Sequence, residues 1–235
     1  MTALKKVRRT NWALIPTAMS ATAFIQTALS VDPEVDRALV ESTAALLQTS
    51  YSEPQRHYHT LEHIQFMLDA FTSTTPVRPI IELAIWFHDY VYDPAKGGPW
   101  NERESIRVWE QFVEDSKSEG MMRIKEPVSA LIEATISHNL PKTLPSSLSR
   151  ADAAHFLDLD MGILAADSFS YDKYAQGIRK EYSLYNDVDY CAGRTKVLHN
   201  FLSRDRIFLA ENTEELERRA RENIRNEIER LEARK

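Results

Sequence analysis

The sequence predicts an all-α protein, a bundle of helices in a single domain. Three observations carry that reading. Apolar residues recur at spacings of three and four along most of the chain, while strict alternation is rare. Only six glycines occur in 235 residues, and the prolines fall mainly between the periodic segments. The length fits one large domain, and no internal repeat, low-complexity tract or linker divides it. The motif-bearing part spans about 51–190, and a charged helix follows at about 213–235.

The start, MTALKKVRRTNWALIPTAMSATAFI, is basic and then apolar, as a signal peptide is. Asn11, Pro16, Thr17 and Ser20 interrupt its apolar part, so a cytoplasmic chain is expected. The first firm helix runs from about Pro33 to Thr49, with Asp32 as N-cap and Pro33 in the first position, where a missing N–H costs nothing. Val35, Leu39, Ser42 and Leu46 line one side of it. The next helix is expected from about Tyr58 to Phe71. It places His59 and His63 on one face, which continues to Phe66, Met67 and Ala70.

A helix from about Pro79 to Tyr92 follows, with His88 in line with Ile81, Ala84 and Ile85. DPAKGGPW reads as a loop. In NERESIRVWEQFVED, Asn101 as N-cap and Glu104 resemble a capping box. EPVSALIEATISHN is helical with Pro127 in its first turn, and Leu131, Thr135 and His138 form its inward stripe. RADAAHFLDLDMGILA is helical, with Asp160 on the stripe of Phe156, Leu157, Ile163 and Leu164. Tyr171, Tyr174, Ile178, Tyr182 and Tyr185 share a side of a helix at about 170–185. A further helix spans about Gly193 to Leu202. The last has a narrow stripe of Leu216, Ala220, Ile224 and Ile228.

Composition removes several function classes. A formal net charge of −6 argues against nucleic-acid binding, which needs a basic footprint. No run approaches the roughly 20 apolar residues of a membrane span. The single cysteine, Cys191, excludes an intrachain disulfide and fits a reducing compartment. The charged last helix could pack on a partner chain, so a homo-oligomer stays open.

The chemistry concentrates in Ile80 to Tyr92, IIELAIWFHDYVY, where a histidine and an aspartate stand side by side in an apolar helix. Two buried ionisable neighbours are costly unless compensated, and a metal ion compensates both. With His63 upstream and Asp160 downstream, His63, His88, Asp89 and Asp160 offer two nitrogens and two oxygens to a divalent ion and leave positions open for water and substrate. Asp158 and Asp160 face about 200° apart on a helix, and the apolar stripe favours Asp160 as the ligand.

These residues resemble the HD-domain superfamily of metal-dependent phosphohydrolases, whose namesake pair is here His88-Asp89. YHTLEH is similar to the Y-H-N-x-x-H stretch of cyclic nucleotide phosphodiesterases, with Thr60 at the asparagine position. RHYHTLEHI, AIWFHDYVYD, NERES, FLDLD and IRKEY together look like a group of predicted HD phosphohydrolases, from about Tyr51 onward. The resemblance implies an HD-type bundle, a divalent ion (Mn, Mg, Zn, Fe, Ni or Co) and hydrolysis of a small phosphorylated, nucleotide-like substrate. It makes His63 a ligand and His59 the acid that protonates the leaving group, with Asp89 a catalytic residue as well as a ligand. Met161 stands where several members have a phosphate-contacting lysine.

Arg56, Arg103, Lys142 and Arg179 are then candidates for phosphate, Glu102 for orienting a ligand or water, and Tyr174, Tyr182 and Tyr185 for stacking on a base. His138 is a candidate for substrate binding, for supporting a ligand or for a second metal. His155 is turned away from Asp160, and one ion is favoured. Two alternatives are carried: a di-iron oxygenase on the same scaffold, and a metal-containing nucleotide-binding module without turnover.

Overall fold

The structure is a computed structural model that describes the backbone of residues 17–234 and the side chains of residues 21–234. The expectation of an uncleaved, non-secretory start rests mostly on residues outside this range. Ten α-helices and one 3-10 helix occur among the described residues, with no strand, so the all-α reading holds. The helices are α1 (Thr17–Val31), α2 (Arg37–Ser50), α3 (Leu61–Ala70), α4 (Arg78–Phe87), α5 (Trp100–Ser116), α6 (Glu119–Thr135), α7 (Arg150–Asp160), α8 (Ser168–Glu181), α9 (Asp187–Leu202) and α10 (Glu214–Glu232). The 3-10 helix, Met161–Ala165, continues α7.

Two apolar cores meet near the end of α7. The larger is built around α4, whose residues from Ile80 to Phe87 are all buried. Helix α1, which the sequence reading did not foresee, closes one side of it. Phe24 is fully buried there, edge-on to Trp86 at 5.9 Å and to Phe87 at 6.0 Å. Removing an aromatic ring of that size from water contributes roughly 2–3 kcal/mol. The smaller core joins the 3-10 helix, α8, α9 and α10. In α10 the stripe of Ala220, Ile224 and Ile228 is buried as expected.

Several boundaries differ for identifiable reasons. Asp36, not Asp32, caps α2 by accepting from Ala38 N and Leu39 N. Asp32 instead accepts from the hydroxyl of Ser118, a tertiary partner. The buried stripe of α2 is Val40, Thr43, Ala44 and Leu47, which leaves Leu46 exposed. Helix α6 begins seven residues before Glu126 because Ser118 caps it through Met121 N, and Pro127 is accommodated inside. The capping box at Asn101 and Glu104 does not form. The Asn101 side chain accepts from Asp93 N at 2.9 Å and ties down the preceding loop, while Glu104 pairs with Arg107.

Two shortened helices matter for the site. Helix α3 starts at Leu61, capped by Thr60, so His59 lies in the loop before it and does not share its face. Ala70 is exposed as well. Helix α4 stops at Phe87, and His88 and Asp89 form the turn after it. A buried helix end leaves its last carbonyls without partners. Here Tyr51 Oη donates to Trp86 O at 2.8 Å and His88 Nδ1 to Ile85 O at 2.9 Å, while in the turn beyond the helix the Arg56 guanidinium donates to Asp89 O and Tyr90 O, each at 2.7 Å.

Candidate metal centre

Helix α3, the turn after α4 and the end of α7 bring His63, His88 and Asp160 together, with a possible ligand atom from each within 4.8 Å of the others. His63 Nε2 lies 3.3 Å from His88 Nε2 and 3.2 Å from Asp160 Oδ1. Asp89 Oδ2 is 3.0 Å from His88 Nε2 and 3.9 Å from His63 Nε2. An ion about 2.0–2.2 Å from each donor sets neighbouring donors roughly 3–3.5 Å apart, so these spacings fit one divalent cation. The tautomer fits too. His88 Nδ1 donates to Ile85 O, which leaves the Nε2 lone pair facing the other donors. Both imidazoles are buried, while the two carboxylates reach the cleft.

The electrostatics describe a site built for charge. Without an ion, burial opposes the charged form of His88, yet the Asp89 carboxylate beside it prevails and holds the imidazole up at about 9; the proton this keeps on Nε2 is the one a metal ion would displace to use that lone pair. Burial would raise Asp89 and Asp160. His88 and His59 keep Asp89 below the usual carboxylate range, and hydrogen bonds from His138 and His63 do the same for Asp160. His138 Nε2 reaches Asp160 Oδ2 at 2.9 Å, so it holds the carboxylate of a candidate ligand. Asp158 accepts from Leu209 N and Ala210 N at 2.7 and 2.9 Å, which anchors the segment before α10 and takes Asp158 out of the ligand set.

A cleft of about 690 Å³ opens onto the centre, lined among others by Asp89, Glu102, His138 and Asp160. His59 also lines it, stacked on Tyr92 at 4.3 Å between ring centroids. His59 is fixed by Glu181, which the residue-by-residue reading missed. Glu181 Oε1 accepts from the backbone N–H groups of His57, Tyr58 and His59 at 2.7, 2.7 and 3.0 Å. Its Oε2 meets His59 Nδ1 at 2.8 Å and the Tyr92 hydroxyl at 2.9 Å. Burial opposes a charged His59, but Asp89 and Glu181 raise it. A signal for Glu181 existed, because it continues the spacing of Tyr171, Tyr174 and Ile178 on the buried side of α8.

Some expected substrate contacts are placed elsewhere. Arg56 is buried and does not line the cleft. Its donors serve the carbonyls of His59, Asp89 and Tyr90, so it ties the His59 loop to the turn after α4. Arg179 faces Asp187 and the carbonyls of Tyr182 and Tyr185, also outside the cleft. Arg103 and Lys142 are exposed and do not line it. Glu102 does line it. One of its carboxyl oxygens is buried without a partner, and burial raises its pKa. Tyr174, Tyr182 and Tyr185 form part of the wall. His155 packs against Phe71 at 5.4 Å, away from the cleft.

No family model, no curated protein and no solved structure matches this chain.

Proposed function

We propose that the chain is a metal-dependent phosphohydrolase of the HD type, acting on a small phosphorylated, nucleotide-like substrate. The observation that carries this reading is the convergence of His63, His88 and Asp160, with Asp89 beside them, at a cleft that also holds His59. A divalent ion held by these four residues supplies a Lewis acid and a water acidic enough to ionise near neutral pH.

The chain's own residues supply the rest. Glu181 holds His59 Nδ1, which leaves Nε2 as the proton-bearing atom available to the cleft, and the raised affinity for that proton suits a general acid. In this reading His59 Nε2 gives its proton to the departing oxygen. His138 steadies Asp160, and Asp89 orients the attacking water. The volume of the cleft is in the range of small-molecule sites, and its tyrosines offer faces for a base.

A screen for phosphate release from nucleotides and nitrophenyl phosphate, with protein loaded with each candidate ion, tests the reading. Release that depends on metal and on His59 supports it. Metal-loaded protein that releases phosphate from none of them contradicts it.

A further inference from the structure

A phosphate oxyanion in this cleft meets the carboxylates of Asp89, Glu102, Asp160 and Asp189 in the lining, and with His59 committed to the leaving oxygen, a further fixed cation besides the metal favours its binding. Two arginines line the cleft, Arg194 and Arg204. Arg194 is already neutralised. Its Nε and Nη2 donate to Glu227 at 2.8 and 3.1 Å, and Nη2 also meets the Tyr174 hydroxyl at 3.0 Å.

Arg204 differs. Its Nη1 donates to His138 O at 3.0 Å and its Nη2 to Ser137 O at 2.9 Å, while the guanidinium lies 4.6 Å from the centre of the Phe201 ring. These partners fix the fork and carry no charge. Burial depresses the guanidinium, and no carboxylate raises it again. The backbone is pinned too, because Arg221 Nη2 donates to Arg204 O at 2.7 Å. The residue whose carbonyl it holds, His138, is the one bonded to the ligand Asp160. A partly desolvated, preorganised cation without a counter-ion, one histidine removed from a metal ligand, is the arrangement an anion completes.

We propose that Arg204 is the anion-binding cation of the cleft and holds a phosphoryl oxygen of the substrate beside the metal centre through the N–H groups that the two carbonyls leave over. The class of the ligand rests on the phosphohydrolase reading. The competing role is purely structural, since Arg204 also clamps the backbone at His138, where φ is 48°.

Calorimetric titration of the metal-loaded full chain with inorganic phosphate and with pyrophosphate separates the two. Arg204→Gln is expected to weaken phosphate binding about tenfold with metal content unchanged, the loss of one charge-assisted hydrogen bond. Arg204→Lys is expected to fall between the two. A glutamine variant that binds both anions as the parent does overturns the assignment. Weakening confined to pyrophosphate supports it, with the second phosphoryl group as the one held. In the unsubstituted protein, phosphate should slow phenylglyoxal modification of Arg204, read by peptide mass spectrometry, and leave the exposed Arg37 unaffected. Equal labelling with and without phosphate overturns the proposal even if the glutamine variant fails to fold. Arg204-dependent phosphate binding without turnover of any phosphate ester leaves Arg204 standing and removes only the hydrolase reading.

Discussion

Replacing Glu181 by Gln changes one atom and removes one charge, and the structure sets the cost. Burial works against this carboxylate, but the His59 imidazolium and the backbone N–H groups of Tyr58 and His59 hold it at about 2 against an ordinary 4.5. At about 1.4 kcal/mol per pH unit, that is about 3 kcal/mol of stabilisation when both partners are charged. Glu181 is 3% exposed, so solvent screens little of it. An amide also turns one acceptor into a donor, which faces either three backbone N–H groups or His59 and Tyr92.

The pH dependence has a definite sign. The carboxylate's pKa is depressed, so its contribution is complete above 4.5 and is lost as pH falls toward 2. The His59 pKa is raised, so its share is complete below 6.5 and is lost as pH rises through the folded value. The melting temperatures of the two proteins should therefore differ most near about pH 5.5, with Glu181→Gln lower by roughly 6–12 °C for a chain of this size. Calorimetric melts across the acid range measure the gap. Coincident melts near pH 5.5, or a gap that does not close on acidification, would refute the reasoning.

Other expectations follow from the same geometry. His59→Asn should keep its metal and fold, and lose most turnover on esters with poor leaving groups. The loss should shrink on nitrophenyl phosphate, whose phenolate departs without a proton, and equal losses on both substrates in a rate assay contradict the acid role. Asp160→Asn should lower metal content. Asp158→Asn should retain the metal and destabilise the segment at Leu209 and Ala210, so elemental analysis showing the larger metal loss for Asp158→Asn would reverse the assignment.

The candidate metal-binding group of His63, His88 and Asp160 was legible because apolar surroundings make a buried His or Asp conspicuous. His63, His88 and Asp160 each interrupt a hydrophobic stripe, and the fold converges those stripes. The cations were not legible. Arg56, Arg179, Arg194 and Arg204 look alike in sequence, and only tertiary partners decide which ones cap carbonyls, which one meets Glu227 and which faces the cleft without a counter-ion. Glu181 lies in IRKEY, one of the motifs that carry the resemblance, but no role attaches to it until its place on the buried side of α8 is noticed. Helix α1 was hidden by its resemblance to a signal peptide, although Phe24 and Ala28 sit four apart and are both buried. The turn at His88-Asp89 was hidden because periodicity continues through it. Tyr51 caps the Trp86 carbonyl at the end of α4 and Arg56 holds the carbonyls of the turn that follows, and both contacts are distant in sequence.

The metal centre itself is tested most directly by elemental analysis of the purified chain beside His88→Ala, each measured as isolated and after loading with divalent ions. About one ion per chain is expected in the parent, with the pair of imidazole nitrogens and the Asp160 oxygen as its anchor, and loss of that ion in the variant. Full metal occupancy in folded His88→Ala, or a parent protein that takes up no divalent ion, would contradict it.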